Sequence, residues 1–291
     1  MPEYDGFIIR PPSEADSLIL QYTIGCSHNQ CIFCPAYKEK LYRVRSLGEM
    51  EREVLGCIPA FADTRRIFLA DGDALGATQQ ELLALFGLLK RHFLQLQRVG
   101  MYASARSILG KSAEELVQLR EQGLGIVYLG IESGDDELLA WMQKGVNATE
   151  MAEAGLKVKA AGIKLSVTVL LGIGGSTRSK EHARATGRLL SRIDPDYVGA
   201  LTTMVVPGTL LHRLEQAGDF RSASPFEILA ELGAMLERTE MRGLFFANHA
   251  SNYLPLRVRM PSGRDRAVEM IRQCIKEGDG TGLRPEGMRR L

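Results

Sequence analysis

Apolar runs and amphipathic stretches alternate along most of this chain. Short apolar runs, the pattern of buried strands, predict six strands, at 18–24, 66–70, 98–103, 125–131, 164–171 and 197–203. Stretches with apolar positions at a period near 3.6 follow them and predict helices at 47–61, 79–93, 113–122, 137–142, 149–161 and 179–193. Such an alternation is typical of parallel, right-handed βαβ units.

The number of strands decides the architecture. Eight units would close a full barrel, whereas six predict an α/β fold with an incomplete (β/α)6 TIM-like barrel. The pattern then becomes mainly helical, with helices at 211–216, 225–238 and 263–277 and one short candidate strand at 243–247. We expect an N-terminal entry segment (1–17), a partial-barrel core (18–206) and a C-terminal extension (207–291) that completes the substrate side.

Composition and charge narrow the class of protein. The chain is 45% hydrophobic and 24% charged, and its 36 Lys and Arg almost balance its 35 Asp and Glu. No overall charge therefore attracts it to nucleic acid or to an anionic membrane. No apolar stretch reaches the roughly 18 residues of a membrane helix, and the N-terminus lacks the pattern of a secretory signal. We expect a cytoplasmic protein with reduced cysteines and no membrane partner.

Three of the five cysteines fall within nine residues, directly after the first predicted strand. Cys26, Cys31 and Cys34 have the spacing C-x4-C-x2-C. Crowded thiolates on a short loop are the ligands that a soft metal ion or an iron–sulfur cluster needs. Cys57 and Cys274 are expected to be packing residues. The loop is therefore a candidate metal site at the strand ends where β/α barrels carry their chemistry.

The number of ligands distinguishes three kinds of metal site. A structural zinc takes four protein ligands, and His28, inside the loop, is badly placed to be the fourth. A plant-type [2Fe–2S] cluster uses the same spacing with a distant fourth cysteine, which Cys57 would supply, but the chain is much larger than such a β domain. A [4Fe–4S] cluster with three cysteine ligands leaves one iron open to a small molecule. We favour this third site.

Polar and glycine-containing segments follow the later strands as well. They are Asp71-Gly72-Asp73, Ser104 with Arg106, Glu132-Ser133-Gly134 and Gly172-Ile173-Gly174-Gly175. A carboxylate beside a glycine suits the ammonium group of a closely approaching ligand, although Asp-Gly is also a common turn. Arg106 is equally well explained as a surface residue at a helix start.

The cysteine loop, with Phe33 before its last cysteine, resembles that of the radical S-adenosylmethionine (SAM) enzymes. Their usual spacing, C-x3-C-x2-C, is one residue shorter, and a bulge in the loop would absorb the difference. The resemblance covers residues 18–210 and includes the segments Ala70–Asp73, Gly130–Gly134, Met142–Gly145 and Gly172–Gly175. The middle two are similar to signatures of the branch that holds methylthiotransferases, Elongator-type enzymes and coproporphyrinogen-type oxidases.

This resemblance implies a mechanism and a set of site residues. Cys26, Cys31 and Cys34 would hold a [4Fe–4S] cluster whose open iron binds SAM, and an electron would split SAM into methionine and a radical that abstracts hydrogen. The implied SAM contacts are Phe33, Gly172 and Gly174 near adenine, Gly72 and Asp73 at the amino group, Ser104 at the carboxylate, and Glu132 and Ser133 at the ribose or amino-acid end. A reducing partner such as flavodoxin or ferredoxin is also implied.

The substrate side is predicted from a polar string after the short candidate strand. Asn248, His249, Ser251 and Asn252, with Thr203 at the end of strand six, are candidate substrate residues. The same string is typical of a turn whose side chains bind local backbone. Other polar residues carry weaker signals. Arg43 and Arg45 either bind an anion or face solvent. The histidines in helical stretches, His92, His182 and His212, are expected at the surface.

The substrate class is inferred by elimination. The extra cysteine cluster and basic β domain of RNA methylthiotransferases, and the cysteine-rich extension of peptide-modifying relatives, are not visible in the sequence. A small or medium-sized organic substrate is therefore favoured. Modification of tRNA or of a protein side chain is the first alternative, and a non-catalytic iron–sulfur or ligand carrier related to coproporphyrinogen oxidases is the second.

Overall fold

The computed structural model describes residues 2–290. Its strands are β1 (Leu18–Gln21), β2 (Thr23–Ile24), β3 (Arg43–Val44), β4 (Arg66–Ala70), β5 (Arg98–Ala103), β6 (Leu124–Glu132), β7 (Lys164–Leu171), β8 (Tyr197–Thr202), β9 (Leu244–Phe246) and β10 (Arg257–Arg259). Its α-helices are α1 (Leu47–Phe61), α2 (Gln79–His92), α3 (Ala105–Gly110), α4 (Ala113–Glu121), α5 (Asp136–Trp141), α6 (Ala148–Ala160), α7 (Ser179–Ile193), α8 (Leu210–Ala217), α9 (Pro225–Glu237) and α10 (Arg264–Glu277).

Several helices begin at capping boxes, in which a Ser or Thr and the residue three positions later bond to each other's backbone. Ser46 with Glu49 forms such a capping box at the start of α1. Thr78 with Glu81 and Ser112 with Glu115 start α2 and α4 in the same way. These local bonds explain why the predicted helix starts lie within a residue of the observed ones.

The first compact unit comprises residues up to 29, 36–129 and 154–165. Within it β1, β4, β5 and β6 pair in parallel, with Leu18 opposite Ile67, Ile67 opposite Val99, and Gly100 opposite Ile126. The carboxyl ends of these strands therefore lie at one edge of the sheet. The segments that follow β1, β4 and β5 emerge at that edge.

The first predicted strand is divided in two. Beyond β1, the Tyr22 N–H donates to the Ala70 carbonyl at the end of β4, and β2 then pairs antiparallel with β3. Residues 18–24 are therefore not one strand, because the chain leaves the parallel sheet at Tyr22. The short strand β3 was not predicted, since two residues carry no measurable periodicity.

Of the described residues, the second unit comprises 30–35, 130–153 and 166–290. In it β7, β8 and β9 pair in parallel, and β10 pairs antiparallel with β9. The candidate strand at 243–247 is thus confirmed as β9, and β10 is a strand that the sequence did not predict. Helices α7 and α9 pack together, as do α9 and α10. The predicted boundaries at residues 17 and 206 stay predictions.

One surface prediction is wrong. His182 is fully buried, because it lies on the side of α7 that also buries Ala183, Leu189, Leu190 and Ile193. A polar residue within an apolar helix face was the signal that it has a buried partner. Among residues 2–290 the structure contains no helix with both the length and the apolar character needed to cross a membrane.

Candidate active site

The cysteine loop contributes to both units. Cys26 belongs to the first, Cys31 and Cys34 belong to the second, and all three are partly exposed thiols. Between the last two, Ile32 is buried; its N–H donates to the Met142 carbonyl at 3.1 Å and its carbonyl accepts from Leu211 N–H at 3.0 Å.

Phe33 packs, partly buried, against the same hydrophobic cluster as Ile32. This cluster includes Leu138, Met142 and Leu211 from the segments around α5 and α8. The second half of the loop is therefore anchored by the two backbone hydrogen bonds of Ile32 and by the packing of two adjacent apolar side chains, Ile32 and Phe33.

The residues present fit an iron–sulfur cluster by their chemistry. Within residues 2–290, no three His, Cys, Asp or Glu side chains are already gathered around a single point that would hold a metal ion. Three thiols from nine residues are nevertheless the soft donor set that such a cluster uses. A Cβ atom at Gly72 would lie 2.7 Å from the Cβ of Cys26 and 2.8 Å from a ring carbon of Tyr37. Only glycine therefore lets the backbone after β4 lie so close to the first cysteine.

Asp71, just before that glycine, fixes the start of the loop. Its Oδ2 accepts from the Gly25 N–H at 3.0 Å and from Gln21 Nε2 at 3.0 Å, and it lies 3.1 Å from Lys40 Nζ. Gly25, with φ of +78°, directly precedes Cys26. Asp71 is thus a supporting residue that sequence reasoning did not assign, since its donors come from three separate segments.

Asp73 is the centre of a buried hydrogen-bond cluster. Its Oδ1 accepts from the Ser104 N–H at 2.9 Å and from Ser107 Oγ at 2.7 Å. Its Oδ2 accepts from Ser104 Oγ at 2.9 Å and from Ser27 Oγ. Four donors match the roughly four lone-pair positions of a carboxylate. The structure thus brings together two predicted SAM contacts, Asp73 and Ser104.

Ser27 and Ser107 were missed by sequence reasoning. Ser104 caps α3, and its hydroxyl accepts from the Ser107 N–H at 3.0 Å. A serine three positions after a helix cap was the available signal for Ser107. Ser27 had only its position next to Cys26. Arg106 is exposed.

Glu132 and Ser133 follow β6. Glu132 has a left-handed backbone, with φ of +60°, and its Oε1 lies 2.9 Å from Nζ of Lys144. The two predicted signature segments therefore meet through this ion pair. A Cβ atom at Gly130 would lie 2.2 Å from Glu132 Oε1, which explains the glycine. Ser133 is fully buried, with Oγ 2.8 Å from Nδ1 of His182.

The glycine segment after β7 forms a tight turn. Gly172 has φ of +76°, and a Cβ there would lie 2.4 Å from the Cδ1 of Ile228. Its N–H donates to Glu231 Oε1 at 2.6 Å. Gly175 N–H donates to the Gly172 carbonyl at 3.0 Å, which closes the turn around buried Gly174. Both predicted glycines thus lie in this tight, buried turn.

The candidate substrate residues differ in their surroundings. Ser251 and Asn252 are buried and bond to β8: the Thr202 N–H donates to Ser251 Oγ at 3.1 Å, and Asn252 Nδ2 donates to the Ala200 carbonyl at 2.7 Å. Asn248 is exposed. Thr203 Oγ1 is a buried hydroxyl without a hydrogen-bond partner among the described residues. Thr203 therefore has the unused polar group that a substrate contact requires.

His249 and two arginines complete this region. His249 Nδ1 accepts from the Ser251 N–H at 3.1 Å. Burial, followed by the nearby Arg284 guanidinium, lowers the pKa of His249 below its usual 6.5. Arg289 is buried, and its Nε donates to the Ser251 carbonyl at 2.7 Å. The polar string is thus held by residues near the end of the chain.

Three residues with weaker signals have structural surroundings. Arg43 and Arg45 form ion pairs with Glu49 and Glu53 of α1. Cys57 is buried in α1, and burial raises the pKa of its thiol. Cys57 thus has the surroundings expected of a packing residue.

The sequence of this chain matches a known protein family. The family model of the Radical SAM superfamily matches residues 20–186, more than half of the chain. The heme chaperone HemW of Bacillus subtilis is 23% identical over 203 residues, which are 66% of this chain and 52% of that protein. A tRNA-2-methylthio-N(6)-dimethylallyladenosine synthase of Dehalococcoides mccartyi is 24% identical over 222 residues, 73% of this chain and 52% of that protein. The chain spans about half the length of these curated relatives.

The fold is also shared with a solved structure. Coproporphyrinogen III oxidase (HemN) from Escherichia coli, a radical SAM enzyme, superposes with a TM-score of 0.61 at 17% identity, over 76% of this chain and 52% of that one. This likeness confirms the predicted α/β class, with a parallel sheet and helices like those of radical SAM partial barrels. Because the family model covers more than half of its length, the chain belongs to the Radical SAM superfamily, whose enzymes use a [4Fe–4S] cluster and SAM.

Proposed function

We propose that this chain cleaves SAM reductively and abstracts a hydrogen atom from a small or medium-sized organic substrate. The observation that carries the proposal, beyond family membership, is the contact between Gly72 and Cys26. There the backbone of one strand end lies against the first cysteine of the loop, with no room for a side chain. The contact thus places the segment that contains Asp73 beside a proposed cluster ligand.

The three cysteines of the loop supply the cluster ligands in this proposal. Cys26, Cys31 and Cys34 would hold the cluster, and the iron without a protein ligand would be open to SAM. When bound, the reduced cluster supplies the electron that breaks a carbon–sulfur bond of the sulfonium, which yields methionine and a 5′-deoxyadenosyl radical.

The strand-end residues bind and orient SAM. Asp73 offers negative charge to the ammonium group, and the hydroxyls of Ser27 and Ser107 can rotate to free a lone pair on its carboxylate. Ser104, at the start of α3, lies beside it for the SAM carboxylate. Glu132 is oriented by Lys144 for the ribose or the amino-acid end.

The adenine side is assigned to surfaces without large side chains. Gly172 and Gly174 present bare backbone, and Phe33 contributes the backbone next to the last cysteine. Flat contact of this kind excludes water from the reacting bond. Ser133 is buried next to Glu132 and bonds to a buried histidine. Thr203, with its unpartnered hydroxyl, is the first candidate for contact with the substrate.

Modification of tRNA is a second candidate. It is supported by the tRNA-2-methylthio-N(6)-dimethylallyladenosine synthase among the relatives. It is also supported by Arg184, Arg188 and Arg192, exposed residues at four-residue spacing along one face of α7. Such a row suits a phosphate backbone. The heme chaperone relative supports a carrier role instead, which SAM cleavage would exclude.

The proposed reaction requires an electron donor and a reducing compartment. The cluster must be reduced by one electron, so the chain requires a donor such as flavodoxin or ferredoxin. A reduced cytoplasm suits both the thiols and the cluster.

The test is formation of 5′-deoxyadenosine by anaerobically reconstituted protein with dithionite and SAM. We expect the nucleoside from the unaltered chain, and loss of both bound iron and nucleoside in Cys26→Ala, Cys31→Ala and Cys34→Ala. Cys274→Ala, outside the loop, is the matched control and should retain both. Absence of nucleoside from the unaltered chain, or its persistence in the three variants, would overturn the proposal. A rise in nucleoside on adding unmodified tRNA would favour the second candidate.

A further inference from the structure

A histidine and a glutamate face each other in the interior of the second unit. His182 of α7 is fully buried, and Glu231 of α9 is 2% exposed. The His182 Nε2 atom lies 3.5 Å from Glu231 Oε1. Neither residue belongs to the cofactor or substrate contacts assigned above.

Each partner of this pair holds a different strand-end loop. His182 Nδ1 lies 2.8 Å from Ser133 Oγ, in the loop after β6. Glu231 Oε1 accepts from the Gly172 N–H at 2.6 Å, in the turn after β7, and Oε2 accepts from Ser179 Oγ at 2.6 Å. Hydrogen bonds thus link His182 to Ser133 and Glu231 to Gly172, while the two side chains approach each other at 3.5 Å without a hydrogen bond at Nε2 among the described residues.

The hydrogen bonds define the tautomer of the histidine. Ser133 Oγ accepts from the Asp135 N–H at 3.0 Å, and Thr186 Oγ1 accepts from the Gly134 N–H at 2.9 Å. Their hydroxyl protons are therefore available to donate to His182 Nδ1, which lies 2.8 and 3.3 Å away. Nδ1 is then the acceptor, and the ring proton lies on Nε2. Among the described residues Nε2 makes no hydrogen bond, and Glu231 Oε1 lies 3.5 Å from it.

Burying such a pair between two helices carries a desolvation penalty. Burial raises the pKa of Glu231, because desolvation disfavours its charge. The neighbouring positions on α9 are apolar, with Leu232, Met235 and Leu236 all buried. An apolar pair of similar volume commonly stabilises a core as well or better. The polar pair therefore calls for a role other than packing.

We propose that His182 and Glu231 are positioning residues that fix the loop after β6 and the turn after β7 in the arrangement that binds SAM, a role that depends on the function proposed above. Glu231 holds the Gly172 backbone that contacts adenine, and His182 holds Ser133 next to Glu132. Loosening either residue separates two surfaces that must meet one ligand.

A second link between the same loops lies nearer the surface. Asp135 accepts from Arg178 Nε at 2.6 Å and from Arg178 NH2 at 3.0 Å. The Arg178 side chain is 32% exposed, so water screens this link more strongly than the buried one.

The experiment compares four variants of the whole chain. His182→Leu and Glu231→Leu remove the links, whereas Glu231→Gln keeps an oxygen for the Gly172 N–H. Thr239→Val is the control, because Thr239 is also fully buried and its hydroxyl donates to the Met235 carbonyl of its own helix region. The first readout, on protein without cofactors, is hydrogen–deuterium exchange of peptides that contain residues 130–135 and 170–176.

We expect faster exchange in both peptides for the leucine variants, and exchange near that of the unaltered chain for Glu231→Gln and Thr239→Val. The second readout is SAM affinity of the reconstituted protein, which should weaken about 10- to 100-fold in the leucine variants, as for other supporting shells. Nucleoside formation at saturating SAM should change much less, since the cluster ligands are intact.

Three results would overturn the positioning role: unchanged exchange in the leucine variants, unchanged SAM affinity despite faster exchange, or equal damage by Thr239→Val. If a leucine variant does not fold, His182→Gln replaces it, with a smaller effect in the same direction. Absence of nucleoside from the unaltered chain would refute the proposed function instead. The exchange readout separates the two failures, because it needs no cofactor.

Discussion

Ser104 donates two hydrogen bonds to Asp73, from its backbone N–H to Oδ1 and from its hydroxyl to Oδ2, each 2.9 Å long. The two residues follow neighbouring parallel strands, β4 and β5. Parallel pairing thus brings together side chains that are 31 positions apart in the chain. The carboxylate and its two donors thus meet at the carboxyl ends of these strands.

Replacing Asp73 by asparagine should weaken SAM binding. The amide keeps one oxygen for the Ser104 N–H but removes the charge offered to the ammonium group. A hydrogen bond to a charged group contributes about 1.5–3 kcal/mol, so we expect affinity to fall roughly 10- to 150-fold. Equilibrium binding of SAM to reconstituted protein measures this. Ser107→Ala, which leaves both Ser104 bonds in place, is the control, and equal losses in the two variants would contradict the charge argument.

Replacing Lys144 by methionine should destabilise the protein. The change leaves the Glu132 carboxylate, whose side chain is only 9% exposed, without its cation at 2.9 Å. We expect a loss of about 1–3 kcal/mol in the free energy of unfolding, the usual penalty for an abandoned buried polar group. Urea unfolding of the cofactor-free protein measures it. The double variant with Glu132→Gln should recover part of the loss, and an additive double variant would show that the two residues are not coupled.

Stability should depend on the protonation of His249. The pKa of this residue is lower in the folded protein than its usual 6.5, because of burial and then of Arg284. As the pH falls through 6.5, His249 of the unfolded chain binds a proton that the folded protein does not yet bind. The contribution of His249 to the free energy of unfolding is therefore full at neutral pH and declines as the pH falls. Protonating Nδ1 would also break the hydrogen bond that Nδ1 accepts from the Ser251 N–H.

Unfolding titrations of the unaltered chain and of His249→Gln, between about pH 7 and pH 5, measure this dependence. The variant should lose part of the slope seen in the unaltered chain. Identical slopes would mean that another group titrates in this range.

The long elements of this fold were predictable from the sequence. The bounds of β7 and α7 agree with the predicted 164–171 and 179–193, because both segments are strongly periodic and end at glycine or proline turns. The strands β3 and β10 escaped prediction, since two or three residues with exposed arginines have no distinct pattern. The end of β1 before Tyr22 was not predictable either, because the Tyr22 N–H bonds to Ala70, a residue far away in the sequence.

The candidate site was predictable in part for the same physical reason. Asp73 and Ser104 were found because they follow apolar strands. His182 and Glu231 were not found as a pair, because their partners lie 49 and 59 positions away in the chain. A glutamate among the apolar positions of α9 was the one local signal of a buried partner.

The most direct test is electron paramagnetic resonance of the anaerobically reconstituted, dithionite-reduced protein, recorded with and without SAM. An iron that SAM chelates changes its ligands, so its electronic environment must change. We expect a [4Fe–4S] signal that shifts when SAM is added. A [4Fe–4S] signal indifferent to SAM, or the spectrum of a [2Fe–2S] cluster, would contradict the open iron on which the proposed function depends.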